Sequence, residues 1–99
     1  MATTKEFIAY ILDKTNGITG FSIKPMFGEY MHYYNGVVTG LICNNTFFIK
    51  VTPNTTQLLN NLNKASPYPK AKEQYILNDD YLENKELLLT IFKQFTLGK

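Results

Sequence analysis

The sequence predicts an α+β domain of two layers, an antiparallel meander of about five strands with N- and C-terminal helices packed on one face. Three observations carry that prediction. Short β-prone runs are separated by the tight-turn pairs Asn35-Gly36 and Asn44-Asn45, and such turns allow only antiparallel neighbours. At both ends of the chain the apolar period shifts to helical spacing. Finally, 99 residues at 44% hydrophobic content suit one domain, residues 1–99, that folds without disulfides or metals.

The elements follow in order. Thr3 with Glu6 matches a capping box ahead of Phe7, Ile8, Ile11 and Leu12, and Asn16-Gly17 supplies a stop. "FSIKP" alternates apolar and polar, and Pro25 ends it or sets it at a sheet edge. "FGEYMHYY", "VVTGLIC" and "TFFIKV" complete the meander. Thr55 or Asn54 is placed to cap a helix through "TQLLNNLN", "SPYPK" reads as a loop, and "EQYILN" as a further strand. A last helix capped by Asn84 carries Leu87, Leu88, Ile91, Phe92 and Phe95 as one stripe and stops at Gly98.

Charge and cysteine usage narrow the function classes. The net charge is +2, and all 10 basic residues are lysine. Bidentate arginine contacts to guanine are therefore absent, while lysine contacts to phosphate remain available. A single cysteine, Cys43, cannot close an internal disulfide, which favours a cytoplasmic location. The N-terminal "MATTKEFIAYILDK" lacks a signal-peptide core, and no run approaches the ~20 apolar residues of a membrane span. A membrane role is not expected.

Catalytic sets are equally sparse. His32 is the sole histidine, and pairing it with Cys43 as a nucleophile dyad would need an orienting carboxylate that no nearby residue supplies. Cys43 reads instead as a small buried hydrophobe. One Cys and one His cannot build a structural zinc site, and Asp79, Asp80 and Glu83 lack the spacing of a calcium loop. These acids fit the approach to the last helix, where negative charge suits the helix dipole. No phosphate-binding glycine loop is present. The chain is read as non-enzymatic, with no cofactor.

Two stretches remain as candidate contacts. In "MFGEYMHYYNG", a single strand would put Phe27, Glu29, Met31 and Tyr33 on one side and Gly28, Tyr30, His32 and Tyr34 on the other. Neither side is cleanly polar, so the second face is either partly covered or an aromatic patch that meets a partner. Tyr30, His32 and Tyr34, with Pro67, Tyr68 and Pro69 of the loop, form the candidate protein-contact surface. Lys64, Lys70 and Lys72 around Tyr68 are the candidate nucleic-acid contacts, since lysine and tyrosine together can hold phosphates and stack bases.

The run "KPMFGEYMHYYNGVVTGLICNNTFFIKVTP", then "SPYPKAKEQYIL" and "ENKELLLTIF", resembles the TfoX N-terminal domain family, named for a bacterial regulator of competence. Its Met-Phe-Gly-Glu-Tyr strand corresponds here to Met26, Phe27, Gly28, Glu29 and Tyr30. The resemblance spans roughly residues 4–95, although His32 stands where an aliphatic residue is usual and Met31 where a small one is common. It implies a secretion-chaperone-like α+β fold and a regulatory or interaction role in DNA uptake, exerted through a protein partner. The second, helical domain of full-length regulators is expected to be missing. A homodimer or a secretion-type chaperone is the remaining alternative the likeness suggests.

Overall fold

The computed structural model describes residues 3–97. The element order is α1 (Lys5–Lys14), β1 (Phe21–Met26), β2 (Glu29–Tyr34), β3 (Val37–Cys43), β4 (Thr46–Lys50), α2 (Pro53–Leu59), β5 (Lys64–Ala65), β6 (Gln74–Leu77), α3 (Asp79–Leu82) and α4 (Lys85–Lys93). The strands form one six-stranded antiparallel sheet in the order β1-β2-β3-β4-β6-β5. The predicted meander and flanking helices are present, as an α+β fold.

Each of the first three hairpins closes on two residues with positive φ: Phe27 and Gly28, Asn35 and Gly36, Asn44 and Asn45. This is the type I′ pattern, whose twist matches that of paired strands. The first turn corrects the sequence reading. "FGEYMHYY" is not one strand, because Phe27-Gly28 reverses the chain and β2 begins at Glu29. Pro25 does lie on an edge strand, β1.

Helix boundaries follow their caps. Thr4, not Thr3, caps α1 by accepting the Phe7 N–H at 3.1 Å. The second helix starts earlier than predicted: Thr52 is its N-cap, and Thr55 closes a reciprocal capping box from within. Asn78 caps a separate short helix, α3, so Asp79 and Asp80 fill its first turn rather than leading into α4. Asn84 caps α4 as predicted, accepting the Leu87 N–H at 3.1 Å. The Gly98 stop falls outside the described residues.

The helix-facing core is apolar and aromatic. Ile11 from α1, Leu59 from α2, and Leu88, Ile91 and Phe92 from α4 are fully buried against Ile42, Phe47 and Ile49 of the sheet. Burying side chains of this size stabilises the fold by about 1.5–3 kcal/mol each. Phe92 stacks on Phe21 and Tyr34, with ring centroids 5.0 and 5.9 Å apart.

His32 sits inside this core with no exposure. Its ring stacks on Phe47 at 4.3 Å, and Nε2–H donates to the Phe48 carbonyl at 2.7 Å. In that tautomer Nδ1 accepts from the Thr39 hydroxyl. Thr39 is the extra residue of a β-bulge: His32 pairs with Gly40, and Tyr33 already with Val38. Because of the bulge, Val37 and Ile42 both reach the helix-facing core despite their odd separation. Gly40 makes room, since a Cβ there would lie 2.1 Å from the Phe48 carbonyl oxygen and 2.7 Å from His32 Nε2.

Desolvation lowers the His32 pKa from 6.5 to about 3, outweighing the opposite pull of the Phe48 carbonyl. The unfolded chain therefore takes a proton that the folded chain refuses between pH 6.5 and about 3. Stability is present above that window and is lost as pH falls, by at most about 1.4 kcal/mol per pH unit. Urea denaturation from pH 7 to 5 should show this slope in the wild type. His32→Gln, which cannot titrate but keeps an N–H for Phe48, should flatten it; an unchanged slope would remove His32 as its source. Gly40→Ala should destabilise the fold by about 3 kcal/mol through overpacking, readable as a shifted urea midpoint.

Candidate functional site: two grooves under one loop

The far face of the sheet is also apolar. Leu41, Cys43 and Phe48 are buried there, with Met26, Met31, Ala65 and Ile76 packed around them. Residues 66–73 cross this face as a loop whose Pro67 is buried and whose Tyr68 is 53% exposed. The Ala71 N–H donates to the Tyr68 carbonyl at 3.0 Å, with Pro69 and Lys70 between and Lys70 at φ 70°. Proline followed by positive φ is the type II pattern. The loop is a built turn that leaves a groove on each side of Tyr68.

The first groove, about 850 Å³, runs between the loop and the β1–β2 turn. Leu41 and Cys43 contribute to it from the sheet, Met26, Phe27 and Tyr30 from the hairpin, and Pro67, Tyr68 and Pro69 from the loop. Phe27 is 99% exposed, and its φ of 50° is a genuine outlier for a bulky residue. The other two hairpins carry Asn at the matching position.

Glu29 closes one end. Its carboxylate accepts the N–H of Thr3 at 3.0 Å and of Asn44 at 3.2 Å. Burial pushes its pKa up, but the hydrogen bonds from Thr3 and Asn44 more than offset this and hold it below the usual carboxylate value. The Thr4 N–H donates to Asn45 Oδ1 at 2.9 Å, so the N-terminal segment is tied to the β3–β4 turn. Glu29 therefore positions backbone. Cys43, in the same groove, has its thiol pKa raised by burial and by the Glu29 charge, which disfavours a reactive thiolate.

The second groove, about 530 Å³, is lined by Lys50, Lys64, Lys72, Glu73 and Gln74, and shares Leu41 and Tyr68 with the first. The structure thus redistributes the predicted residues. His32 and Tyr34 are buried, so these two do not form an exposed aromatic surface, whereas half-buried Tyr30 packs on the helix-facing core at its edge and also borders the first groove. The cause is the hairpin register, which turns His32 and Tyr34 toward Phe92 of α4. Pro67, Tyr68 and Pro69 do meet the Met26-Phe27-Gly28 segment. Lys64 and Lys72 both border the second groove, but Lys64 pairs with Tyr75 and lays its Nζ 5.8 Å from that ring on the helix-facing side, while Lys70 is held in the turn outside the groove. His32 and Cys43 lie on opposite faces of the sheet, so no dyad forms. Among the described residues no cluster of His, Cys, Asp and Glu could hold a metal, and no helix could cross a membrane.

A six-stranded sheet with helices on one side and a loop-bridged, grooved apolar face on the other defines a small two-layer α+β domain. Residues 13–95 match the family model for the TfoX N-terminal domain, and the chain belongs to that family. A relative from Spirochaeta aurantia, described as an uncharacterized 12.7 kDa protein in the trpE 5′ region, is 30% identical over 79 residues, covering 80% of this chain and 69% of its own.

Phe27 gains nothing by packing and adopts a backbone that disfavours it. Phe27→Asn should raise stability by about 1 kcal/mol, because Asn tolerates left-handed backbone. A urea midpoint equal to or below that of the wild type would show that Phe27 is not strained.

Proposed function

We propose that this domain acts in regulation by docking a protein partner in the groove between the Phe27 turn and the Pro67–Pro69 loop, and that it serves genes of DNA uptake. One observation supports the docking reading above the others. The chain keeps a fully exposed phenylalanine in left-handed backbone at the rim of an apolar groove. Such strain is retained where a contact makes use of it, and aromatic residues beside a pocket are the usual anchors of interfaces. The link to DNA uptake comes from family membership, and a reducing cytoplasm suits the free thiol of Cys43. The partner chemistry that fits is a short apolar segment, presented to Met26, Phe27 and Tyr68.

The experiment replaces the chromosomal copy with Phe27→Asn and measures transcripts of DNA-uptake genes against wild type and a deletion. Phe27 is fully exposed and Asn suits its backbone, so the variant is expected to keep the fold, and loss of the transcript response to the level of the deletion is the expected result. A full wild-type response from Phe27→Asn would refute docking at this rim. An absence of response to the deletion itself would refute the link to DNA uptake.

A further inference from the structure

The β1–β2 turn places a projection beside a recess. Phe27 stands out from the turn fully exposed, and the first groove runs from it to Leu41, Cys43 and Pro67. A face that carries a knob and a hollow side by side can be self-complementary, because a two-fold axis offers each copy's knob to the other's hollow. The tip of the hairpin, Met26-Phe27-Gly28, is itself a short apolar segment, the chemistry that fits this groove.

Charge is matched in the same way. Of the residues lining the groove, Glu29 alone is charged. It is half-buried and accepts the N–H groups of Thr3 and Asn44, but no cation pairs with it among the described residues. Lys24 lies on the same hairpin, opposite Met31 and on the same far face of the sheet. It is exposed, rests 5.4 Å from the Tyr33 ring centroid and makes no ion pair among the described residues. One hairpin thus holds an apolar knob with a free cation and an apolar groove with a free carboxylate. Pairing of two β1 edges is the other way for copies to meet, and Pro25 opposes it by offering no N–H there. From this juxtaposition of Phe27, Lys24, Glu29 and the groove we infer that a second copy of this chain is the occupant. Phe27 of each copy seats against Tyr68 in the other's groove, and Lys24 of each meets Glu29 of the other; this rests on the docking role proposed above and names its partner. An aromatic anchor buries about 150–250 Å², so two of them with the walls they cover bury roughly 600–1,000 Å² in all. That is below the ~1,200 Å² of stable interfaces, so the dimer is weak and reversible.

Sedimentation equilibrium of the purified chain, from about 10 µM to about 1 mM where weak contacts titrate, tests the inference. The wild type should pass from the mass of one chain toward that of two. Phe27→Asn removes both anchors and should weaken association about a hundredfold or more, leaving a monomer throughout. Lys24→Glu sets like charges together on both sides of the axis and should weaken it about fivefold or more. Lys93→Glu, on α4 of the opposite face, makes the same change in net charge and should leave the affinity as it was. Thermal melts check that each variant is folded. A wild type that stays a single chain at the highest concentration, or a folded Phe27→Asn that dimerises as the wild type does, would overturn the inference. Neither result touches docking of a different protein, which loss of the transcript response in Phe27→Asn would still support. A dimer lost in Phe27→Asn with transcripts unchanged would sustain self-association and refute the regulatory role.

Discussion

His32 donates to the Phe48 carbonyl from inside the core, and it reaches that carbonyl only because Gly40 has no Cβ. The consequences spread through the sheet. The paired residues of β3 and β4 run only through Cys43↔Thr46 and Ile42↔Phe47, and at the next residue of β4 the imidazole supplies a hydrogen bond. Thr39, pushed out as the bulged residue, returns its hydroxyl to the same ring. A buried donor or acceptor left unmet costs about 1–3 kcal/mol, so ring, hydroxyl and carbonyl must be satisfied together. The bulge they share turns both Val37 and Ile42 toward the helices.

That arrangement also decides where function can reside. The aromatic residues of β2 that look most suited to binding are consumed by packing, with Tyr34 and His32 held against Phe92. The outward residues of β3, Leu41 and Cys43, are left on the far face, where no helix packs. Burying Pro67 there lays a loop across that face. Its type II turn then fixes which side chains point along it: Tyr68 stands between the grooves, while Lys70 is carried away from the other lysines.

Much of the fold was legible because local chemistry and tertiary need agree. Asn35-Gly36 and Asn44-Asn45 are turn residues placed in turns, and Asn84 caps the helix whose Leu88, Ile91 and Phe92 fill the core. The Phe27-Gly28 turn was not legible, because phenylalanine is a strand former whose propensity argues against left-handed backbone. The one available signal was its spacing: an X-Gly pair before β2 like the Asn-Gly pair that ends it. The strand Lys64–Ala65 was too short to carry a period. Lys50 and Gln74 joined the candidate site only through the pairing of β4 with β6, a contact between segments 24 residues apart that matches Lys50 to Gln74. Composition cannot show such a pairing.

Tyr68 joins the two grooves in physical terms. It forms part of the wall of the apolar groove beside Phe27 and part of the wall of the lysine groove beside Gln74. Because one ring walls both grooves, its rotamer sets the width of each. The loop has few anchors: the buried Pro67 at one end and the pairing of Gln74 with Lys50 at the other. Beneath it the His32 bridge and the Phe47 and Phe92 rings, tilted against each other, hold the opposite face in close packing. The two grooves therefore share a loop wall held at few points over a closely packed floor.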